Sequence, residues 1–394
     1  MLAPQPVVSP RGTPLSVRDR CRLLSELGHE VELLTFPLGQ DFALPGLTIR
    51  RLPRLPGLRR LPIGFSWTKV LLDGLLFAIT VGAIARRRPD LVYTHEEAGM
   101  IGAVLGWATG VPHLFDMHSS LPQQFENYRT SSARPVLAFM AWAERTILKN
   151  ASAVVTVCPA LVERAAQVAP GVPVTLVENL SQFPEQSPDV GEVARWRSEL
   201  GGARAFIATY TGTFEANQGL DAMVEAFARV AGQIPDAVLV LAGGEGDQVG
   251  RMAERCAQLG VAGRCRLPGR VGESAVPALL AASDVLLSPR WTGTNTPLKI
   301  YTYRDAGVAI LATRIAAHTQ VLDDTTALLA EPSIEGLAAG LLRLHGDAGL
   351  RTALAREARR QQQSRSRAMM RERLAHAVAV ARSGRRAPPG EGGP

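Results

Sequence analysis

Helix-period and strand-period segments alternate along this chain from end to end, which restricts it to folds built on parallel sheets. Residues 31–36 (Val-Glu-Leu-Leu-Thr-Phe) read as a strand after an Arg-rich helix that ends at Gly28. Residues 90–94, 113–117 and 153–157 read as further strands, each running into a polar or Gly-bearing loop. A second series starts at 206–210 and continues at 238–242, 264–268, 285–288 and 309–312. Between the series, residues 181–188 are polar and helix-poor, and a short charged helix follows. The expected architecture is α/β, with two Rossmann-like domains facing a cleft and ligands outside the carboxyl ends of the strands. The expected divisions are 1–183, 184–365, a C-terminal helix at 366–383 and a disordered tail at 384–394. Only Met1 to Pro4 precede the first loop, too little for a full first strand, and 351–383 read as one long Arg- and Gln-rich helix.

A length of 394 residues suits two domains. Four Cys without C-x-x-C spacing argue against disulfides and structural zinc, and suit a reducing, cytoplasmic setting. No signal-peptide pattern opens the chain. No run is expected to span a membrane: the most apolar stretch, Val70 to Ala85, is broken by Asp73 and stopped by Arg86, Arg87 and Arg88. The net charge of +7 suits an anionic surface or ligand. Residues 50–88 hold Arg50, Arg51, Arg54, Arg59, Arg60, Lys69 and Arg86 to Arg88 against the single carboxylate of Asp73, with Phe65 and Trp67 interleaved. They read either as a peripheral contact with an anionic membrane or as a solvated Arg-rich surface. Nucleic acid is not expected, since no binding motif is present.

Two loops share one pattern. Pro10-Arg11-Gly12-Thr13-Pro14 and Gly293-Thr294-Asn295-Thr296-Pro297 each lead into a helix with Thr at the N-cap and Pro at the first helical position. Free backbone N–H groups there form an anion site, though such caps also begin helices that bind nothing. The second loop has Arg290 before it and Lys299 after it, and Lys299 is one of only three lysines. Gly212 and Thr213 end one strand, and Gly243 another, where the backbone can approach a ligand or simply turn. His118 lies near Asp116 at a strand's carboxyl end, where it can hold a sugar hydroxyl, move a proton or serve structure alone. His95, Glu96 and Glu97 end the preceding strand and read as acceptor contacts, a base or a solvated helix start.

These segments resemble the GT-B fold glycosyltransferases of family 4. The resemblance rests on Gly28-His29-Glu30-Val31-Glu32-Leu33-Leu34-Thr35, Phe115-Asp116-Met117-His118, Ala151 to Val157, Val177-Glu178-Asn179, Tyr210-Thr211-Gly212-Thr213, Val240 to Gly244, Asn295-Thr296-Pro297-Leu298-Lys299-Ile300-Tyr301 and Ala306 to Thr313. Ala309 stands where that family usually has Pro. The resemblance implies retaining, metal-independent transfer of a sugar from a nucleotide-sugar, with no further cofactor. It implies a nucleotide-binding C-terminal half, an acceptor-binding N-terminal half and a terminal helix that crosses back to the N-terminal domain. Catalytic roles would fall to His118 and Lys299. Donor diphosphate contacts would come from Gly12, Thr13, Gly212, Thr213, Arg290, Thr294, Asn295, Thr296, Pro297, Leu298 and Thr302. The base would lie near Gly243, Arg270 and Val271, and the acceptor near His95, Glu96 and Glu97.

Two departures stand out. The family's pair of Glu falls at Thr294 and Thr302, and its basic pair falls at Thr213 and Gln218. The Asn-Thr-Pro-Leu-Lys pattern resembles a bacterial branch associated with surface polysaccharide assembly. The expected function is therefore transfer to a lipid-linked or glycan acceptor, at the inner face of the cell membrane. The departures leave two alternatives: a non-catalytic GT-B subunit of a polysaccharide complex, and a nucleotide-sugar epimerase.

Overall fold

The computed structural model describes residues 1–7, 12–54, 56, 58, 66–123, 134–183 and 188–384. Pro10, Arg11, Arg59, Arg60 and Phe65, and the expected tail beyond Gly384, lie outside them. The chain divides into two units. The first comprises residues 1–179 together with those from 367 on, and the second residues 180–366. The expected divisions lay at 183/184 and 365/366.

The first unit is built on a parallel sheet of seven strands: β1 (Leu2–Ala3), β2 (Val31–Thr35), β3 (Leu47–Arg51), β4 (Val92–His95), β5 (His113–Met117), β6 (Ala153–Thr156) and β7 (Val174–Leu176). Their order is β3-β2-β1-β4-β5-β6-β7. The first strand, expected to be less than full, is present as two residues. Leu2 and Ala3 pair with Leu34 and Thr35 of β2, and Leu2 pairs with Thr94 of β4. β4 and β5 are buried along their whole length, as a sheet covered on both faces requires.

The second unit carries six parallel strands: β8 (Phe206–Gly212), β9 (Ala237–Gly243), β10 (Cys265–Gly269), β11 (Val285–Ser288), β12 (Ala309–Thr313) and β13 (Leu328–Ala330). Their order, β10-β9-β8-β11-β12-β13, is the doubly wound one, with its switch point between β8 and β11. The helix Leu220–Val230 buries Leu220, Met223, Val224 and Phe227 against Leu239 and Leu241 in one apolar cluster.

Several expectations are corrected. The long C-terminal helix is two, Ala348–Ser364 and Arg367–Ser383, separated at Arg365 and Ser366. The second belongs to the first unit, where Met370, Leu374, Ala377, Val378 and Ala381 are buried and Arg367 pairs with Glu26. The first helix, Gly12–Glu26, ends before Gly28. It takes Gly12, Thr13 and Pro14 into its first turn, so Thr13 is not its cap. The helix Leu298–Ala306 has Pro297 as its N-cap, which places Thr296 and Pro297 one position earlier than expected.

One helix, Trp67–Arg86, has 20 residues and is long and apolar enough to cross a membrane, against the expectation that no run would be. Asp73 does not break it: the helix, capped at its start by Ser66, runs on through it, and burial, with Glu97 adding to it, pushes the Asp73 carboxyl up to about 7. Leu72, Leu76 and Thr80 face the first unit's core, while Trp67 is 79% exposed and Leu71 61%. The basic patch is also less bare than its sequence. Arg50 pairs with Glu32, Arg51 with Asp41, Lys69 with Glu97 and Arg87 with Glu30.

Candidate functional site

In the first unit, parallel register sets His95 at the end of β4 opposite Asp116 of β5, and His118 follows two residues later. Their side chains converge. His95 Nδ1 lies 3.2 Å from His118 Nε2, which lies 3.3 Å from Asp116 Oδ1. Asp116 Oδ2 accepts from Arg20 Nε at 3.0 Å and from the Tyr93 hydroxyl at 2.6 Å. Arg20 in turn donates to the Val177 carbonyl. All five side chains are buried. Burial alone would push the Asp116 carboxyl up, but His118 and Arg20 beside it hold it well below the usual carboxylate range. Burial pushes His95 down to about 3, so its imidazole is neutral.

At the other end of β5, Gly102 makes room for His113: a Cβ there would meet His113 Nε2 at 2.2 Å. His113 bonds the Thr94 hydroxyl at 2.7 Å. Glu96 is the one non-glycine among the described residues with positive φ, at 51°. This strained backbone stands at the strand-end cluster, where such strain tends to concentrate at functional sites. Its carboxylate accepts from Ser119 at 3.1 Å, tying the loop after β4 to the loop after β5. The acceptor candidates therefore separate. His95 and Glu96 are buried beside His118, and Glu97 is half-buried 3.6 Å from Lys69.

His95, Asp116 and His118 are the described residues grouped closely enough to hold a metal ion, with ligand atoms within 4.8 Å of one another. The Arg20 guanidinium already supplies the positive charge that Asp116 balances. A dication added here would be repelled by it at short range. The donor set fits a hydrogen-bonded network better than a metal.

In the second unit, Gly212 and Ser288 end the two strands flanking the switch point, where doubly wound sheets bind ligands. Lys299, in the first turn of Leu298–Ala306, stretches its ammonium over the Tyr210 ring, 3.6 Å from its centroid, and donates to Gln218 Oε1 at 3.2 Å. The Tyr210 hydroxyl donates to the Thr213 carbonyl at 2.6 Å, and the Thr211 amide donates to the Tyr303 hydroxyl at 2.9 Å. Withdrawal from water, with Arg290 adding to it, holds the Lys299 ammonium well below the usual lysine range. Gly212 (φ 143°) leaves the space beside it: a Cβ there would come within 2.9 Å of Lys299 Nζ. Gly243 (φ 126°) lies against the Gly212 carbonyl.

Arg290 is buried, and its backbone carbonyl accepts from the Thr313 hydroxyl. Gln320 donates to the Thr294 carbonyl at 2.6 Å, and His318 bonds Ser288 at 2.9 Å, so β12 and the segment after it brace the 289–297 loop. Asn295 and Leu298 are half-buried in and after that loop. The Thr296 hydroxyl is buried with no hydrogen-bond partner among the described residues. Thr302 is turned to structure, its hydroxyl accepting the Gln182 amide at 3.2 Å. Arg270 is exposed at the end of β10, and Val271 packs against the apolar cluster that holds Ala205 and Val240.

The structure thus joins Gly212, Thr213 and Lys299 within the second unit, and His95, Glu96 and His118 within the first. Sequence reasoning missed the roles of Tyr210, Gln218 and Tyr303 beside Lys299, and of Arg20 and Tyr93 beside Asp116. The signal for Arg20 was its place on the helix face of Val17, Cys21 and Leu24, all buried. Tyr210 and Tyr303 carried none beyond their type.

A family model described as a glycosyl transferase 4-like domain matches residues 11–180, and one described as glycosyl transferases group 1 matches residues 205–347. The 2-deoxystreptamine N-acetyl-D-glucosaminyltransferase of Streptomyces fradiae is 31% identical to the chain, over 68% of this chain and 67% of that protein. Sucrose-phosphate synthase from Thermosynechococcus elongatus shares the fold at a TM-score of 0.78 and 19% identity, covering 95% of this chain and 96% of that one. Anabaena HepE in complex with UDP and glucose does so at 0.73 and 17%, covering 96% and 98%. WaaG, a glycosyltransferase involved in lipopolysaccharide biosynthesis, does so at 0.73 and 15%, again covering 96% and 98%.

Proposed function

Since the chain belongs to the family 4-like glycosyltransferases of GT-B fold, and is a glycosyltransferase, we propose that it moves a sugar from a nucleotide-diphosphate-sugar to a lipid-linked or glycan acceptor. The transfer retains the anomeric configuration and uses no metal ion. One observation carries this reading. The resemblance puts a lost basic residue at Gln218, and Lys299 delivers its ammonium to Gln218 from another segment, at 3.2 Å. A basic side chain is thus present with a different origin in the chain, and a bound diphosphate would favour its charged form.

In such a transfer the acceptor oxygen bonds the anomeric carbon on the face from which the diphosphate leaves, and a leaving phosphate oxygen takes the hydroxyl proton. The protein's task is to neutralise and orient that diphosphate. Lys299, Arg290 and the backbone N–H groups opening Leu298–Ala306 would do so, with Gly212 and Gly243 letting the phosphates approach. His118 would hold a hydroxyl of the sugar. The exposed apolar face of Trp67–Arg86, followed by Arg87 and Arg88, supports work at the inner face of a bacterial membrane.

A second acceptor reading has its own support. The Streptomyces fradiae relative is named for 2-deoxystreptamine, an amine-bearing compound. Transfer assays offering a polyprenyl-linked sugar beside 2-deoxystreptamine separate the two by which becomes glycosylated.

Thermal shifts with UDP, GDP, ADP and dTDP in EDTA test the donor site. At a hundredfold excess over the dissociation constant, binding adds about 2.7 kcal/mol to the native state. One diphosphate is expected to raise the melting temperature, and Lys299→Ala to abolish the rise. Melting unchanged by all four would overturn the reading in favour of a non-catalytic subunit. Epimerised free donor without acceptor would turn it to an epimerase.

A further inference from the structure

A cavity of about 570 Å³ lies in the second unit, at the opposite end of the helix Leu298–Ala306 from Lys299. Gly307, which ends that helix at φ 68°, lines one side of it. Gly307 stands eight residues beyond Lys299, about 12 Å along the axis, so the cavity is separate from the donor site. One face of Ala348–Ser364 lines the other side. Ala355, Arg356, Arg359, Arg360 and Gln363 follow Thr352 at intervals of three, four, seven, eight and eleven, the spacing of a single helix face. Leu354, Ala358 and Gln362 of the same helix are buried instead. The small side chain of Ala355 hollows the middle of the stripe. Arg304, in Leu298–Ala306, donates to Gln361 at 3.2 Å and holds the two helices together.

The three arginines are unequally engaged. Arg360 holds Glu357 with two bonds, at 2.8 and 2.6 Å, and Gln361 donates to the same carboxylate at 3.1 Å. Arg359 interacts with the Asp305 carboxylate, which also accepts from Ser181. The side chains of Arg356 and Gln363 make no hydrogen bond or ion pair among the described residues. The carboxyl end of Leu298–Ala306 carries partial negative charge, so it adds no attraction for an anion. Whatever holds one here is the guanidinium groups themselves. Each presents a planar fork that matches two oxygens at once. Two such forks on successive turns, with an amide beside them, need more acceptor oxygens than a single carboxylate carries. We propose that this cavity is a second anion site, in which Arg356, Arg359 and Gln363 bind a phosphate-bearing ligand. Its size is that of a small-molecule site. The ligand is a soluble phosphate compound or the phosphate of a lipid headgroup, and the two share the chemistry that the arginines recognise.

Calorimetric titration of the full-length protein with pyrophosphate tests this. The arginines are exposed and screened, so the titration runs at millimolar pyrophosphate, above the nucleotide concentrations that report the donor site. Lys299→Ala, which lacks the donor-site ammonium, is expected still to bind one pyrophosphate. Adding Arg356→Gln and Arg359→Gln should weaken that binding at least tenfold. Thr352→Glu, which gives Arg356 a partner one turn away, should weaken it too. Arg195→Gln with Arg371→Gln removes the same charge elsewhere and should leave it unchanged. Phosphatidylglycerol vesicles form the second arm. Pyrophosphate binding lost with Arg356 and Arg359 assigns the site to a soluble ligand. Vesicle sedimentation lost with them, while pyrophosphate gives no signal, assigns it to a headgroup. Both bindings unaffected by the Arg356 and Arg359 changes would overturn the proposal. So would an equal loss in the Arg195 and Arg371 control, which marks general attraction to charge. A melting temperature lowered by the Arg356 and Arg359 changes, with both bindings kept, would also overturn it and leave the arginines the task of stabilising the helix end. The nucleotide-induced rise in melting should survive in Arg356→Gln with Arg359→Gln, so the donor reading stands or falls separately.

Discussion

Lys299 carries less positive charge in the free protein than an exposed lysine would, because its ammonium is drawn from water beside Arg290. A bound diphosphate favours the charged form and raises the pKa again. Between the lowered value and the restored one, binding takes up a proton, so affinity should fall as pH rises through that window. Calorimetric titration with a nucleoside diphosphate, in buffers of different ionisation enthalpy, should show this uptake in the wild type and lose it in Lys299→Gln. A second residue-scale prediction concerns Gly243. An added methyl would lie 1.8 Å from the Gly212 carbonyl oxygen, backbone against backbone, at a φ of 126°. Gly243→Ala should cost about 2 kcal/mol or more in denaturant unfolding and remove nucleotide binding. Gly246→Ala, with nothing within 4 Å of its new methyl, should cost neither. The part of the site on one continuous segment, from Arg290 to Lys299, was legible in the sequence because lysine is rare here and the cap residues are local. The Tyr210–Gln218–Lys299 contact was not, because its members come from separate elements and only the sheet order brings them together. The same holds for Arg20, which meets Asp116 from a helix 96 residues earlier.

Among the elements, the long buried strands were legible because continuous Val, Leu and Ile runs between turns have few other uses. β1, β3, β7 and β13 were not. β1, β7 and β13 have two or three residues, too few for a period, and β3 lies at the sheet's edge with no buried residue, so a neighbouring strand's ladder is what makes each of them a strand. The break at Arg365 and Ser366 has no Gly or Pro to announce it, and follows from the second helix joining the other unit. The Trp67–Arg86 helix makes the element-scale prediction. Trp67→Glu with Leu71→Glu alters only its exposed face, so folding stability should change by no more than about 0.5 kcal/mol per site. Sedimentation with phosphatidylglycerol vesicles should drop sharply. Wild-type binding should weaken with added salt, because Arg86 to Arg88 contribute through screened charge. Equal sedimentation of both proteins would assign that face to something other than lipid.

For the whole molecule, the helix Arg367–Ser383 matters out of proportion to its length. Met370, Leu374 and Val378 are buried in the first unit, and each contributes about 1.5–3 kcal/mol on burial. Together they approach the whole stability of an ordinary domain. Ending the chain after Ser366 should therefore abolish the first unit's cooperative melting in calorimetry while residues 180–366 keep a transition. The order of synthesis then inverts the order of completion. As the chain leaves the ribosome, the N-terminal sheet emerges first but lacks the helix that packs on β5, β6 and β7. The later-made unit is one uninterrupted segment and closes before it. For the time needed to translate residues 180–383, the first sheet waits with an apolar flank uncovered, and it is this older half of the nascent protein that a chaperone would find to hold.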